Sequence, residues 1–337
     1  MGKYNIVFVD TAHSNDCLLG RRARDFVLRE FADFKCDNAR IVKESLLKDT
    51  CALNADDVLV VLALDMPLVR KDDVLKMVSF MQANGISKVK LGSASYISIG
   101  DGKESGVFSK DGCFLSIDSA KSFNVVYNKL KERIIDGFLQ EGVVIVDSAS
   151  TFIDDTVQIE RGAKILPFCR IEGASVIMKD ATVSASYLNN CVIEDGANVE
   201  STHAVCSRIG KQSQVGPFAR LRHATVDSGC RVGDFVEIKT SRLHDGVKAS
   251  HLCYIGDADV GERTNVGCGT VFCNYDGEKK NKTTVGSECF IGANTNLIAP
   301  VVIGDNAFIA AGTTVTRDVQ ESSFTIGRVK QDTKIKK

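Results

Sequence analysis

Aliphatic residues recur every six positions late in the chain, at Val285, Ile291, Leu297, Ile303, Ile309 and Val315, with glycine following at Gly286, Gly292 and Gly304. Neither a helix nor an ordinary strand has that period. It belongs to a solenoid in which each six-residue unit makes one short flat face and three units close a triangular coil. The same period runs back through Ile159, Ile165, Ile171, Ile177 and Val183, then Ile193, Val199 and Val205. It continues in Val226, Val232 and Ile238, and in Val260, Val266 and Phe272. Residues 157 to 319 therefore read as one hexapeptide array, stacked as a parallel β-helix around a continuous aliphatic core. Cys191, Cys206 and Cys289 are small enough for so narrow a prism, and the chain has no tryptophan. Glycine after the aliphatic position reads as a corner residue, where a positive φ is cheap only without a Cβ. Handedness does not follow from the period, since parallel crossovers are normally right-handed.

The first 122 residues are organised differently. Apolar runs at Asn5 to Asp10 and Val58 to Leu64 alternate with helical patterns near 22 to 33 and 71 to 83. That alternation predicts a small α/β domain with a parallel sheet. Residues 123 to 141, with Val126, Leu130, Ile134 and Phe138 four apart, predict an amphipathic linker helix. The β-helix domain then takes 142 to 330, entered through Val143 to Val146, and residues 331 to 337 form a short basic tail that reads as a solvated end. A chain of 337 residues suits two such domains.

Net charge is -1, from 42 basic and 43 acidic residues, so no global field recruits nucleic acid or an anionic membrane. The N-terminus has neither the apolar stretch of a signal peptide nor a myristoylation motif, and no run approaches a membrane span. The 12 cysteines show no CxxC pair, the closest two being Cys268 and Cys273. Such scatter predicts reduced thiols in a cytoplasmic protein and no zinc site.

Longer motifs are embedded in the repeat: Gly216 to Arg222 (GPFARLR), Asp234 to Lys239 (DFVEIK), His251 to Ala258 (HLCYIGDA), Cys273 to Gly277 (CNYDG) and Thr313 to Asp318 (TTVTRD). Through them the chain, over about residues 123 to 330, resembles the bifunctional N-acetylglucosamine-1-phosphate uridyltransferase/glucosamine-1-phosphate acetyltransferases of bacterial cell-envelope synthesis. The resemblance implies a left-handed β-helix, a homotrimer with sites between adjacent prisms, and acetylation of glucosamine-1-phosphate by acetyl-CoA. It puts the general base on His251, an imidazole suited to accept a proton near neutral pH. Arg222 and Lys239 would bind the sugar phosphate, Tyr254 and Asn265 the sugar, and Lys280 would reach substrate from an inserted loop. Asn274 and Tyr275 fall at the acetyl-CoA site, Cys268, Ala293 and Ala311 along the coenzyme channel, and Arg328 at its phosphorylated end. No covalent enzyme intermediate is implied. Cys268 departs from the family, which usually has alanine there. The break in the six-residue count between Phe272 and Val285 predicts a loop projecting from the prism.

The same family opens its uridyltransferase domain with a glycine-rich phosphate loop after the first strand. This chain instead has Thr11-Ala12-His13-Ser14-Asn15-Asp16, with no glycine for close approach to phosphate. Leu64-Asp65-Met66-Pro67-Leu68 retains the metal-ligand position at Asp65, but Tyr127 stands where its partner asparagine is expected. The N-terminal domain thus reads as a reduced nucleotidyltransferase-like domain that has lost uridylyl transfer, with magnesium needed only if that activity persists. A bifunctional enzyme, a β-helix carbonic anhydrase with its metal on His223, His244 and His251, and a non-catalytic β-helix scaffold are the competing readings.

Overall fold

A computed structural model describes residues 3–46, 56–92, 94–100 and 112–335. The chain divides into two compact units, Met1–Ile134 and Ile135–Lys337.

The first unit is built on a five-stranded sheet. Val58–Ala63, an unbroken apolar run, is buried along its whole length at the centre. Tyr4–Asp10 pairs parallel with it, and Asn38–Lys43 lies parallel outside Tyr4–Asp10. On the other side Tyr96–Ile99 and Lys88–Lys90 pair antiparallel. The sheet is therefore mixed, not the parallel layer the alternation predicts. Only five residues separate the last two strands, and Leu91 N donates to Ser95 O at 2.9 Å between them. A hairpin so short forces antiparallel pairing. Helices α1 (Ala23–Glu30) and α2 (Lys71–Ala83) accompany the sheet, α2 burying Val74, Val78 and Met81 along one stripe. Helix α3 runs Ala120–Gln140, and its Val126 and Leu130 pack with Leu18, Leu19, Leu68 and Ile117 in a second apolar cluster.

The second unit is a left-handed parallel β-helix whose three faces carry 11, 10 and 9 strands. We call them the first, second and third faces in the order the chain visits them. Coils begin at Val144–Ile145, ahead of residue 157, and the last strand is Phe324–Thr325. The predicted aliphatic ladder points inward and is buried, with one exception. Val205 is half-buried and Cys206 exposed, because a corner made with one residue fewer moves the inward position to Ala204, which is fully buried.

Gly286, Gly292 and Gly304 do not have positive φ. A Cβ on them would lie 2.6 Å from Asp305 N, 2.4 Å from Ala311 N and 2.4 Å from Glu321 N, respectively. Glycine is required there by the closeness of the next coil, not by corner dihedrals. The corner from first to second face instead uses left-handed residues of many kinds: Phe218 (φ 59°), Phe235 (56°), Leu252 (48°), Gly269 (75°), Asn294 (55°) and Gly312 (72°).

Candidate active site

Asp234, His251, Cys268, Ala293 and Ala311 each stand immediately before one of those left-handed corner residues, on successive coils. Backbone bonds from Leu252 N to Asp234 O (2.8 Å), Asn294 N to Cys268 O (2.7 Å) and Gly312 N to Ala293 O (2.8 Å) tie the corners together. Below His251 the column carries only small side chains, and it ends at Arg328, whose guanidinium donates to the Ala311 carbonyl. Four predicted residues thus share one prism edge with His251.

The opposite edge of the second face is cationic. Arg222 and Lys239 are register partners on adjacent strands, and Lys239 is followed one coil on by Gly256. Arg222 pairs with the Glu237 carboxylate, while its Nε is buried without a partner. Lys280 arrives from the projecting loop, which leaves the prism after strand Val271–Cys273. The Lys239 ammonium beside it, through contact and repulsion, holds the Lys280 pKa below the ordinary lysine value.

The loop is internally braced. Asp276 accepts bonds from Glu278 N and Lys279 N, both at 2.9 Å, and from Asn281 Nδ2 at 2.8 Å. These donors push its carboxyl down to about 2. Tyr275 bridges antiparallel to Lys280 and is exposed. Asn274 is buried, donating to the Asp257 carboxylate and lying 3.4 Å from the Tyr254 hydroxyl. Gly256 makes that arrangement possible: a Cβ there would sit 2.6 Å from the Tyr254 hydroxyl and 2.7 Å from Asn274 Nδ2. An open cleft of about 510 Å³ lies beside the loop, lined among others by His223, Thr240, Arg242, Asp257 and Lys280.

Two predicted residues do not converge in one protomer. Tyr254 points outward from the second face and Asn265 from the first, and the faces of a triangular prism look apart. Sequence reasoning also passed over Asp234, whose Oδ2 lies 3.8 Å from His251 Nδ1. The available signal was its place one coil before His251, in register with it.

Residues 282–317 match the model of the bacterial transferase hexapeptide family (six repeats). The bifunctional protein GlmU of Clostridium botulinum (strain Loch Maree / Type A3) is 47% identical over 204 residues, covering 60% of this chain and 45% of that protein. The C-terminal region of the chain matches GlmU. GlmU of Nitratidesulfovibrio vulgaris (strain DP4) is 45% identical over 205 residues, again 60% of this chain and 45% of that one. The chain thus spans less than half the length of the GlmU relatives it matches. Among solved structures, Arabidopsis UDP-N-acetylglucosamine acyltransferase aligns with a TM-score of 0.35 and 17% identity, over 54% of this chain and 69% of that one.

The remaining predicted position, Asp65, lies in the other unit, away from the GlmU-like coils in sequence. Its Oδ2 accepts the Thr11 hydroxyl at 2.7 Å, its Oδ1 is buried with the Ser116 hydroxyl close by but outside hydrogen-bond geometry, and burial raises its pKa against the pull of both hydroxyls. Tyr127 stacks on Phe123 with ring centroids 6.1 Å apart, and neighbouring Asn128 donates to the Asn124 carbonyl at 2.9 Å. Among the described residues no group of three or more His, Cys, Asp or Glu side chains could hold a metal ion. Magnesium takes one or two protein carboxylates, with substrate phosphates and water completing its shell, and Asp65 is one carboxylate of that kind. The cysteines among the described residues are free, and no described helix is long and apolar enough to cross a membrane.

Proposed function

We propose that this chain is an acetyl-CoA-dependent glucosamine-1-phosphate N-acetyltransferase acting in the cytoplasm, and that its N-terminal domain has lost uridylyl transfer. The observation that carries the reading is the arrangement around the second face. One edge has an imidazole at the head of a column of small residues, and the other gathers Arg222, Lys239 and Lys280. That geometry suits a long thioester laid along one edge and a phosphorylated amine held from the other.

In this reaction the sugar amine attacks the acetyl carbonyl, an amide forms and the carbon–sulfur bond breaks. His251 takes the amine proton as the bond forms and returns a proton to the departing coenzyme sulfur. Arg222, Lys239 and Lys280 bind the phosphate, Arg222 as a fork already oriented by Glu237. Tyr254 and Asn265 hold the sugar hydroxyls. Asn274 and Tyr275 orient the acetyl end of the coenzyme, Cys268, Ala293 and Ala311 leave room for its chain, and Arg328 meets its phosphates.

Because Tyr254 and Asn265 diverge in one protomer, the complete site requires a neighbouring copy, which favours a homotrimer with sites between prisms. Mixing Tyr254→Ala and Asn265→Ala subunits then restores part of the activity. Absence of recovery in a verified mixed oligomer would count against shared sites.

The deciding assay is thiol release from acetyl-CoA in the presence of glucosamine-1-phosphate, for wild type and His251→Ala, with UTP-dependent pyrophosphate release measured on the same sample. Thiol release that collapses in the variant, by on the order of 100-fold or more, supports the reading. No release in the wild type favours a scaffold, and pyrophosphate release restores the bifunctional alternative.

A further inference from the structure

The base proposed above has a neighbour to which neither the family resemblance nor the relatives assign a role. Asp234 and His251 are register partners on consecutive first-face strands, Arg231–Asp234 and Lys248–His251. Parallel strands so paired sit about 4.8 Å apart, which stacks the two side chains on one edge. Leu252 N donates to Asp234 O at 2.8 Å, clamping the two corners, and Asp234 Oδ2 lies 3.8 Å from His251 Nδ1. Phe235 and Leu252, both exposed, flank the pair, and Phe235 stacks on Phe218 with centroids 5.3 Å apart. An apolar rim therefore borders the carboxylate on the side of the preceding coil.

We infer that Asp234 is a positioning residue that fixes the tautomer of His251. A carboxylate only accepts hydrogen bonds, and a neutral imidazole has one nitrogen that donates and one that accepts. At 3.8 Å the two groups face each other just outside hydrogen-bond reach. A sub-ångström side-chain shift or one bridging water joins them, and the nitrogen facing Asp234 then carries the hydrogen while Nε2 keeps the lone pair. Nε2 is then the atom that accepts the amine proton, and the imidazolium so formed gains a facing negative charge. The logic is that of any histidine whose second nitrogen is set by an acidic partner. The inference rests on His251 being the base, and its test separates the two ideas.

The full-length protein is prepared with ¹⁵N-labelled histidine; it has 5 histidines, and His251 is assigned with His251→Gln. Above neutral pH, without substrate, the His251 ring shows a protonated Nδ1 and a bare Nε2. In Asp234→Ala that preference is lost. An unchanged tautomer in Asp234→Ala, with an unchanged melting temperature, overturns the inference. In the thiol-release assay Asp234→Ala lowers kcat by roughly 10- to 100-fold with both KM values preserved, and Asp234→Glu recovers part of it. A loss carried by KM with kcat intact also overturns it. A locked tautomer in a protein that releases no thiol would uphold Asp234's role while removing the acetyltransferase reading.

Discussion

The Lys280 ammonium stands against that of Lys239, one carried by a loop and the other by the second face of the prism, and the contact makes Lys280 easier to deprotonate. Two like charges held together are relieved by a bound dianion. Lys280→Ala therefore raises KM for glucosamine-1-phosphate by on the order of tenfold while leaving KM for acetyl-CoA alone. The folded-state pKa lies below the free lysine value, so the charge is lost at lower pH than usual. Substrate affinity falls as pH rises through that depressed value, and Lys280→Arg, which stays charged, removes this limb. Steady-state kinetics from pH 7 upward checks both.

Gly256→Ala tests the packing behind the proposed sugar site. The added methyl would meet the Tyr254 hydroxyl and Asn274 Nδ2 at distances real contacts do not adopt, so both groups must shift. KM for the sugar phosphate rises as the half-buried Tyr254 swings outward, and the melting temperature falls because Asn274, buried and bonded to Asp257, must also move. An unchanged KM would show that Tyr254 does not hold substrate.

Cys268 is exposed on the small-residue edge, whereas burial raises the pKa of the Cys253 and Cys289 thiols and keeps them unreactive. A maleimide should inactivate the enzyme, acetyl-CoA should protect it, and Cys268→Ala should resist. Peptide mapping of the alkylated protein identifies the thiol responsible. Full activity after complete modification of Cys268 would move the coenzyme off this edge.

Asp65 tests the fate of the N-terminal unit. Burial raises its folded-state pKa above the free carboxylate value, so the ionised form weakens the fold at neutral pH. Stability of this unit therefore increases as pH falls through the raised value, and Asp65→Asn should raise its melting temperature by a few degrees at pH 7. Calorimetry on wild type and variant provides the check. A fall in stability would mean that the carboxylate is satisfied in a way its orphaned Oδ1 does not suggest.

Much of the fold was readable because a solenoid writes its geometry into a period, and inward residues such as Ile171, Val232 and Ile303 are buried as the ladder requires. The reading failed where the period is locally short, at Val205, since one residue lost at a corner moves the inward position without changing composition. It also misassigned Gly286 and Gly292, because a contact with the next coil leaves no mark in local sequence. The mixed sheet escaped for a similar reason: Lys88–Lys90 is three residues long, too short for any pattern. At the candidate site, the motifs named residues but not their relations. That Lys239 meets Lys280, or that Asp234 backs His251, depends on coil stacking, which is visible only once the coil length is known at each turn.

The excursion through residues 274–282 leaves the prism between Cys268 and Ala293, yet those two corners still hydrogen-bond as neighbours, Asn294 N to Cys268 O at 2.7 Å. The rise of the solenoid is indifferent to chain inserted at an edge. A protein built this way can change what it grips by growing or trading a flap, with no renegotiation of its spine. Its chemistry and its stability are free to evolve on separate clocks.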